Sequence, residues 1–167
     1  MNKQVKIEYL YLDLVVCDRC VGTDQVLDEA VSAIKPVLEM AGYTIDYQKK
    51  EMSTISDAIE YKFLSSPTIR VNDRDICSEV KENDCGCCGD ISGTAVTCRV
   101  FTYEGKDYEV PPKAMLIEAI LKAVFGAETE NAKEEIYNVP QNLKDFYRGK
   151  FEKNGGCCCG GSGCCCC

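Results

Sequence analysis

The sequence predicts an α/β fold, and three observations support this class. Residues 5–16 are apolar on both alternating faces, which is typical of a central strand that is covered on both sides. Residues 24–41 then carry apolar side chains at helical spacing. Residues 98–110 form two alternating runs around a Gly-containing turn, which predicts a β-hairpin. Together with the segments between them, these patterns predict the order β-α-β-α-β, an insertion, and then β-β-α.

The first predicted helix begins after a pair of cysteines. Thr23 can cap its first turn, and Asp24 lies where the positive end of the helix dipole favours an acidic residue. Gly42 is suited to end the helix because glycine adopts positive φ at little cost. We therefore expect Cys17 and Cys20 to lie in the loop that precedes the helix.

The middle of the chain predicts a second strand, a second helix and a third strand. Residues 43–49 alternate in polarity, and Ser53 can cap a helix that reaches about Phe63. Residues 65–72, SSPTIRVN, predict a third strand that starts at a proline. The polar, cysteine-rich residues 73–97 have no clean period. We expect them to form an inserted loop before the fourth strand, with a short helix at 76–81 and a last helix after the hairpin.

The chain is predicted to have three parts. Residues 1–126 form the α/β domain that contains the insertion. Residues 127–153 form a charged linker with a short amphipathic helix at about 140–148, which can dock on the domain or on a partner. Residues 154–167 consist mostly of glycine and cysteine, a low-complexity composition that predicts disorder without a ligand.

Charge and hydropathy exclude two classes of partner. The chain of 167 residues has 19 basic and 27 acidic residues and a formal net charge of −8, which argues against binding to nucleic-acid phosphates. No stretch approaches the roughly 18–20 apolar residues of a membrane span. Glu8 and Asp13 interrupt the apolar N-terminal run, so we interpret it as a strand and not a signal peptide. We expect a cytoplasmic protein, and in a reducing compartment many cysteines favour metal or redox chemistry over disulfides.

Cysteine supplies most of the available chemistry, because the chain has 14 cysteines and no histidine. This composition excludes a Cys–His nucleophilic dyad within the chain and mixed Cys/His zinc sites. Any bound metal must therefore take thiolates, with or without carboxylates.

The first thiol pair is Cys17-Asp18-Arg19-Cys20, between the first strand and the first helix. This spacing lets one thiolate attack a disulfide while the second reaches the resulting mixed disulfide. A helix N-terminus lowers the pKa of an attacking thiol; Arg19 would add to that effect and Asp18 would oppose it. The same pair can capture a soft metal or pack as two small apolar residues.

The element order, this thiol pair and Ser66-Pro67-Thr68 at the start of the third strand together resemble the thioredoxin fold, a three-layer βαβαββα arrangement. The resemblance covers residues 3–126. The combination of CxRCxGT, SSPTIRVN and a cysteine-rich insertion also looks like a little-characterised bacterial and archaeal family of thioredoxin-like proteins of unknown function.

This resemblance implies roles for the matching residues. Cys17 would be the nucleophile and Cys20 the resolving thiol. Pro67 would be a cis-proline that faces the thiols and shapes a substrate groove, while Ser66 and Thr68 flank it and the backbone of Ser66 pairs with an extended substrate. A thiol reductase or a client protein would be the partner. Because the helix is expected to begin only at Thr23, metal capture by the pair stays open as an alternative.

A second group of cysteines lies in and after the insertion: Cys77, Cys85, Cys87, Cys88 and Cys98. Four of these thiolates can close a tetrahedral zinc site, and three can hold a trigonal soft ion. The set lacks the second C-x-x-C pair of a zinc ribbon unless Cys17 and Cys20 supply it. A reduced loop, a stitching disulfide and a thiol relay to the first pair are the alternatives.

The third group comprises seven cysteines near the end of the sequence: Cys157, Cys158, Cys159, Cys164, Cys165, Cys166 and Cys167. Adjacent cysteines are poor disulfide partners, so we interpret the segment as a ligand for Cu(I), Hg(II), Cd(II), trivalent arsenic or Zn(II). It would act as a tethered collector for the folded thiols. Lipidation of the terminal cysteines and a repeat expansion without a role are the alternatives.

The leading hypothesis is a thiol-dependent redox protein that acts on disulfides or on thiolate-bound soft metals and metalloids. It needs no resident cofactor. The alternative is a non-catalytic binding, storage or chaperone protein for such ions, and a third possibility is an interaction domain with a structural metal. Whether the chain is an enzyme is left open.

Overall fold

The computed structural model describes residues 3–77, 79–126 and 136–155. The strands are β1 Lys3–Tyr11, β2 Tyr43–Glu51, β3 Thr68–Val71, β4 Arg74–Asp75, β5 Lys81–Asp84, β6 Thr97–Tyr103 and β7 Lys106–Tyr108. The helices are α1 Asp18–Met40, α2 Ile55–Glu60, α3 Gly86–Ser92, α4 Lys113–Phe125 and α5 Gln141–Lys153.

The main sheet has four strands in the order β2-β1-β3-β4. Strand β1 runs parallel to β2, with Ile7 opposite Tyr47, and antiparallel to β3, with Ile7 opposite Val71. A second sheet, β5-β6-β7, is antiparallel and contains the predicted hairpin, in which Phe101 lies opposite Tyr108. The α/β class is therefore confirmed, and this mixed sheet is compatible with a thioredoxin-like fold.

The fourth strand differs from the prediction. Strand β4 follows β3 directly through Asn72 and Asp73, whose φ angles are 50° and 64°. Asn and Asp tolerate this left-handed conformation, so the two residues form a tight turn that the sequence interpretation missed. The insertion thus follows the fourth strand of the main sheet, and the strand predicted at residue 98 belongs to the second sheet.

Residues 73–97 are also more regular than predicted. They contain β4, β5 and α3, and the short helix lies at Gly86–Ser92 and not at 76–81. The polar Lys81–Asp84 segment becomes a strand because it pairs with β6, from Lys81 opposite Val100 to Asp84 opposite Thr97. This long-range pairing overrides the weak strand propensity of the segment.

Helix α1 begins earlier than predicted, because Cys17 and not Thr23 is its N-cap. The Asp13 carboxylate accepts the backbone N–H groups of the three residues before the helix, including that of Cys17 at 3.2 Å, and so closes the preceding loop. Gly22 is helical and allows a close approach: a Cβ there would lie 2.8 Å from Val110 Cγ2. The glycine that suggested a late start is thus a packing residue.

Two hydrophobic cores position the thiols. The first lies between the main sheet and helices α1 and α4, and includes Ile7, Leu27 and Leu116. The second contains Leu12 and Phe63 together with five buried cysteines and residues of α5. The cysteines are thus part of a packed interior.

Helix α5 packs on the second core. It is longer than the predicted segment at 140–148, and Phe146 is fully buried. The Asn142 side chain exchanges two hydrogen bonds with the backbone of Thr97, at 2.8 and 3.0 Å. A Cβ on Gly149 would lie 2.3 Å from the Ser92 carbonyl oxygen, so only glycine permits this contact between α5 and α3. The disorder predicted for residues 154–167 concerns, from residue 156 onward, positions outside the described residues, and it stays a prediction.

Candidate thiolate metal centre

Two C-x-x-C motifs meet at the N-terminal ends of two helices. Cys17 is the N-cap of α1, and its carbonyl accepts the Val21 N–H at 2.9 Å. Cys85 is the N-cap of α3, and its carbonyl accepts the Gly89 N–H at 3.0 Å. Each motif places its second cysteine one turn further along the same helix, so all four thiols lie at helix starts.

Three of the sulfur atoms are close enough to share one ion. The Sγ atoms of Cys17, Cys85 and Cys88 lie within 4.8 Å of one another. The Cys88 and Cys17 sulfurs are 3.8 Å apart, much longer than the roughly 2.05 Å of a disulfide bond. All three side chains are buried, and the cysteines are free. The trio is therefore a reduced and desolvated set of soft donors.

Two further buried thiols extend this group. Cys98 Sγ lies 3.4 Å from Cys88 Sγ and also contacts the Cys85 side chain. Cys20 contacts the Cys17 side chain. We use the name thiol cluster for these five residues: Cys17, Cys20, Cys85, Cys88 and Cys98. The two predicted groups therefore face each other across the second core.

The remaining predicted cysteines lie apart from this cluster. Cys87 is half-buried and packs against the second core, while Cys77 is half-buried against the first. The seven cysteines of residues 157–167 lie outside the described residues. The metal-ligand roles of Cys85, Cys87, Cys88, Cys98 and of those seven stay predictions.

Contacts between the thiols determine the direction of their pKa shifts. Hydrogen bonds from Cys17, Cys88 and Cys98 lower the pKa of Cys85. Contacts with Cys17, Cys85 and Cys98 raise the pKa of Cys88, which donates to the Cys17 sulfur and accepts from Cys98. The hydrogen bond with Cys20 raises the pKa of Cys17. The raised pKa values of Cys17, Cys88 and Cys98 favour their protonated forms, so an ion that binds to these thiols must displace their protons.

Cys20 has a thiolate-stabilising environment of its own. A hydrogen bond from Cys17 and a contact with the Ser66 hydroxyl outweigh burial and lower the pKa of Cys20 to about 7. The Ser66 Oγ atom lies 3.3 Å from the Cys20 sulfur and accepts the Leu12 backbone N–H at 3.1 Å. Ser66 is thus fixed beside the thiol.

The Ser66–Pro67 peptide bond is cis, as the resemblance implied. The Ser66 carbonyl, expected to pair with a substrate, accepts the N–H of Arg99 at 2.7 Å. The Thr68 hydroxyl donates to the Ser65 carbonyl at 2.6 Å and accepts from Arg99 at 3.1 Å. The protein's own β6 strand therefore occupies this edge, and the substrate roles of Ser66, Pro67 and Thr68 stay predictions.

Two buried arginines hold the insertion against the rest of the fold. Arg19 is 6% exposed, donates to the Cys98 carbonyl at 3.0 Å and pairs with Glu109 at 2.8 Å. Arg99 is fully buried and pairs with Asp75 at 2.7 Å. The sequence interpretation assigned Arg19 to the thiol of Cys17 and gave no role to Arg99. In the sequence, the role of Arg99 was indicated only by the position of a basic residue within the apolar strand CRVF.

Comparisons with known proteins place the chain in a family without assigning an activity. Within the described residues, no helix is both long enough and apolar enough to cross a membrane. No curated protein and no solved structure matches the chain. A family model described as a domain of unknown function (DUF2703) matches residues 5–120 and thus includes the whole thiol cluster. The chain belongs to this DUF2703 family.

Proposed function

We propose that this protein binds a soft metal or metalloid ion through the thiolates of Cys17, Cys85 and Cys88. The observation that carries the proposal is the mutual approach of the three sulfur atoms to within 4.8 Å. Zn–S bonds of about 2.3 Å at the tetrahedral angle separate sulfurs by about 3.8 Å. The Cys88–Cys17 distance of 3.8 Å therefore fits two ligands of one ion.

The donor set restricts the class of ion. Thiolates favour Cu(I), Zn(II) and related soft ions over Mg(II) and Ca(II), which require oxygen ligands. The described trio consists of sulfur alone, and the chain has no histidine. Trivalent arsenic and Hg(II) also match three sulfur donors. The cargo is thus a thiophilic ion that the protein stores or passes on.

Burial favours binding over catalytic turnover on proteins. Cys17 and Cys20 are fully buried, and the Ser66 carbonyl is already paired with β6. A client protein would have to displace this strand to reach the thiols, whereas a single ion needs only a narrow path. These features support storage or metal-chaperone activity better than general disulfide reduction.

The cysteines after α5 have a role in this proposal as the first place of capture. The Lys153 ammonium group donates to the Asp90 carbonyl, so α5 ends beside α3. Helix α3 has seven residues and is thus about 10 Å long. Its N-terminal end carries Cys85 and Cys88. Ions bound at residues 157–167 would start their transfer near the cluster.

Dithiol redox chemistry at Cys17 and Cys20 is the second candidate function. The observation in its favour is the lowered pKa of Cys20, about 7, beside the Ser66 hydroxyl. Two-electron oxidation would join the pair as a disulfide while a small disulfide such as oxidised glutathione is reduced to two thiols. The resemblance assigns the attack to Cys17, whereas these contacts favour Cys20 as the thiolate.

Cd(II) binding to the reduced full chain tests the metal proposal. The seven cysteines of residues 157–167 are replaced by serine, and the thiolate-to-metal charge-transfer absorption is titrated without oxygen. We expect Cys17→Ser, Cys85→Ser and Cys88→Ser each to weaken binding at least tenfold. Cys87→Ser is the matched control and should bind like the parent. Equal binding by all four variants would refute the proposal.

A further inference from the structure

We infer that the thiol cluster binds two monovalent Cu(I) ions that share Cys85 and Cys88 as bridging ligands. Cys17 completes the coordination of one ion and Cys98 that of the other. The inference rests on the proposed metal-binding function and adds the number, charge and arrangement of the ions.

The contacts within the cluster form two triangles with a common edge. Cys17, Cys85 and Cys88 form the first triangle, within 4.8 Å. Cys98 contacts both residues of the Cys85–Cys88 edge, with its sulfur 3.4 Å from that of Cys88 and its side chain in contact with Cys85. Thiolate sulfur has several lone pairs and can bridge two ions, so the shared edge does not limit the site to one metal.

The number of sulfurs selects the coordination geometry. Two tetrahedra that share an edge require six sulfur ligands, and two triangles that share an edge require only four. Five buried cysteine sulfurs are present in the cluster, which is fewer than six, and the fifth, Cys20, contacts Cys17. Two Zn(II) ions, which are almost always tetrahedral at structural sites, therefore cannot be accommodated, whereas two trigonal Cu(I) ions can.

The surroundings suit a low ionic charge. Four thiolates and two Cu(I) ions leave a net charge of −2 in the buried site. Loading changes no oxidation state, and the protons that the thiols release pass to the solvent. The N-terminus of α1 is capped by Cys17 and favours negative charge. The buried Arg19 guanidinium lies 3.0 Å from the Cys98 carbonyl oxygen, close to the second triangle.

Native mass spectrometry of the full chain tests this arrangement. The seven cysteines of residues 157–167 are again replaced by serine, and Cu(I) is supplied without oxygen as its acetonitrile complex. We expect two Cu(I) ions in the parent and one in Cys17→Ser or Cys98→Ser. Cys85→Ser should lose cooperative loading of both ions. Cys87→Ser should retain two, and Zn(II) should give one.

The outcomes separate this inference from the proposed function. One Cu(I) ion in the parent, or two in Cys98→Ser, overturns the shared-edge arrangement and leaves the three-thiolate site standing. No Cu(I) and no Cd(II) in the parent overturns both. The parent stoichiometry decides the question even if a cysteine variant fails to fold, and circular dichroism identifies such a variant.

Discussion

The backbone N–H of Arg99 donates to the carbonyl of Ser66 at 2.7 Å, so strand β6 lies directly against the residue that precedes the cis-proline. The adjacent Cys98 lies in the thiol cluster, and its carbonyl accepts a hydrogen bond from Arg19. Strand β6, which follows the insertion, thus brings Cys98 into the thiol cluster and covers the first thiol pair.

Because β6 covers the first thiol pair, we expect small oxidants to oxidise it faster than large ones. We expect oxidised glutathione to oxidise the reduced protein at least ten times faster than a disulfide within an unfolded protein of similar potential. The reason is that the larger substrate must first displace β6 from Ser66. Intact-mass analysis over time gives both rates, and equal rates would contradict the covering role of β6.

Replacement of Arg19 by methionine should destabilise the protein by about 2 kcal/mol, because buried carbonyl acceptors lose their donor. The affected groups are the buried carbonyls of Cys98 and Arg99, at 3.0 and 3.3 Å. Urea unfolding of the reduced, metal-free protein measures the change. The Glu109→Gln control should cost less than about 1 kcal/mol, since the Glu109 carboxylate is largely exposed and screened by solvent. Equal losses would show that the ion pair and not the carbonyl contacts carries the effect.

Replacement of Gly149 by alanine should separate α5 from α3. The added Cβ would lie 2.3 Å from the Ser92 carbonyl oxygen, and overpacking of this kind costs about 1–3 kcal/mol. We expect faster amide hydrogen exchange in α5. Gly86→Ala is the control because a Cβ there has open space, and it should be neutral or stabilising. Unchanged exchange in the Gly149 variant would argue against the close contact.

Replacement of Ser66 by alanine should raise the pKa of Cys20. The serine hydroxyl stabilises the charged thiolate, so its removal favours the protonated form and shifts the pKa upward from about 7. The pH dependence of iodoacetamide alkylation at Cys20, mapped by peptide mass, measures this shift. Ser65→Ala serves as the control, because the Ser65 hydroxyl contacts Glu82. A Cys20 titration that is identical in both variants would exclude the Ser66 contact as the cause.

Replacement of Cys20 by serine separates the two candidate functions. Cys20 is outside the group of three sulfurs within 4.8 Å, so the variant should bind Cd(II) within about threefold of the parent. It should also lose the Cys17–Cys20 disulfide and accumulate a glutathione adduct. A large loss of Cd(II) affinity would require Cys20 to be a metal ligand.

Periodicity predicted the elements with strong local patterns. The alternating strand at the start, the long first helix and the hairpin around Gly105 all formed, because burial of one or both faces specifies them. The turn at Asn72 and Asp73 and the polar strand β5 were missed. Their conformation depends on backbone pairing with distant residues, which leaves little trace in local composition.

The thiols of the candidate site were recognisable, but their arrangement was not. Spacing identified both C-x-x-C motifs, and the cis-proline followed from a resemblance. The contact between Cys17 and Cys88 spans 71 positions and depends on how the insertion packs. The role of Gly22 was misread because a glycine at a close contact and a glycine at a helix boundary look alike in one sequence.

The contact between α5 and the second core has a consequence for synthesis of the protein. Cys17 leaves the ribosome first and Cys98 much later, and Phe146 closes the core around them only after α5 has emerged. Before that point, the growing chain offers exposed thiols with no fixed geometry. Under the proposed metal-binding function, selection among ions therefore begins only with the folded chain, and an ion that is captured earlier must be exchanged.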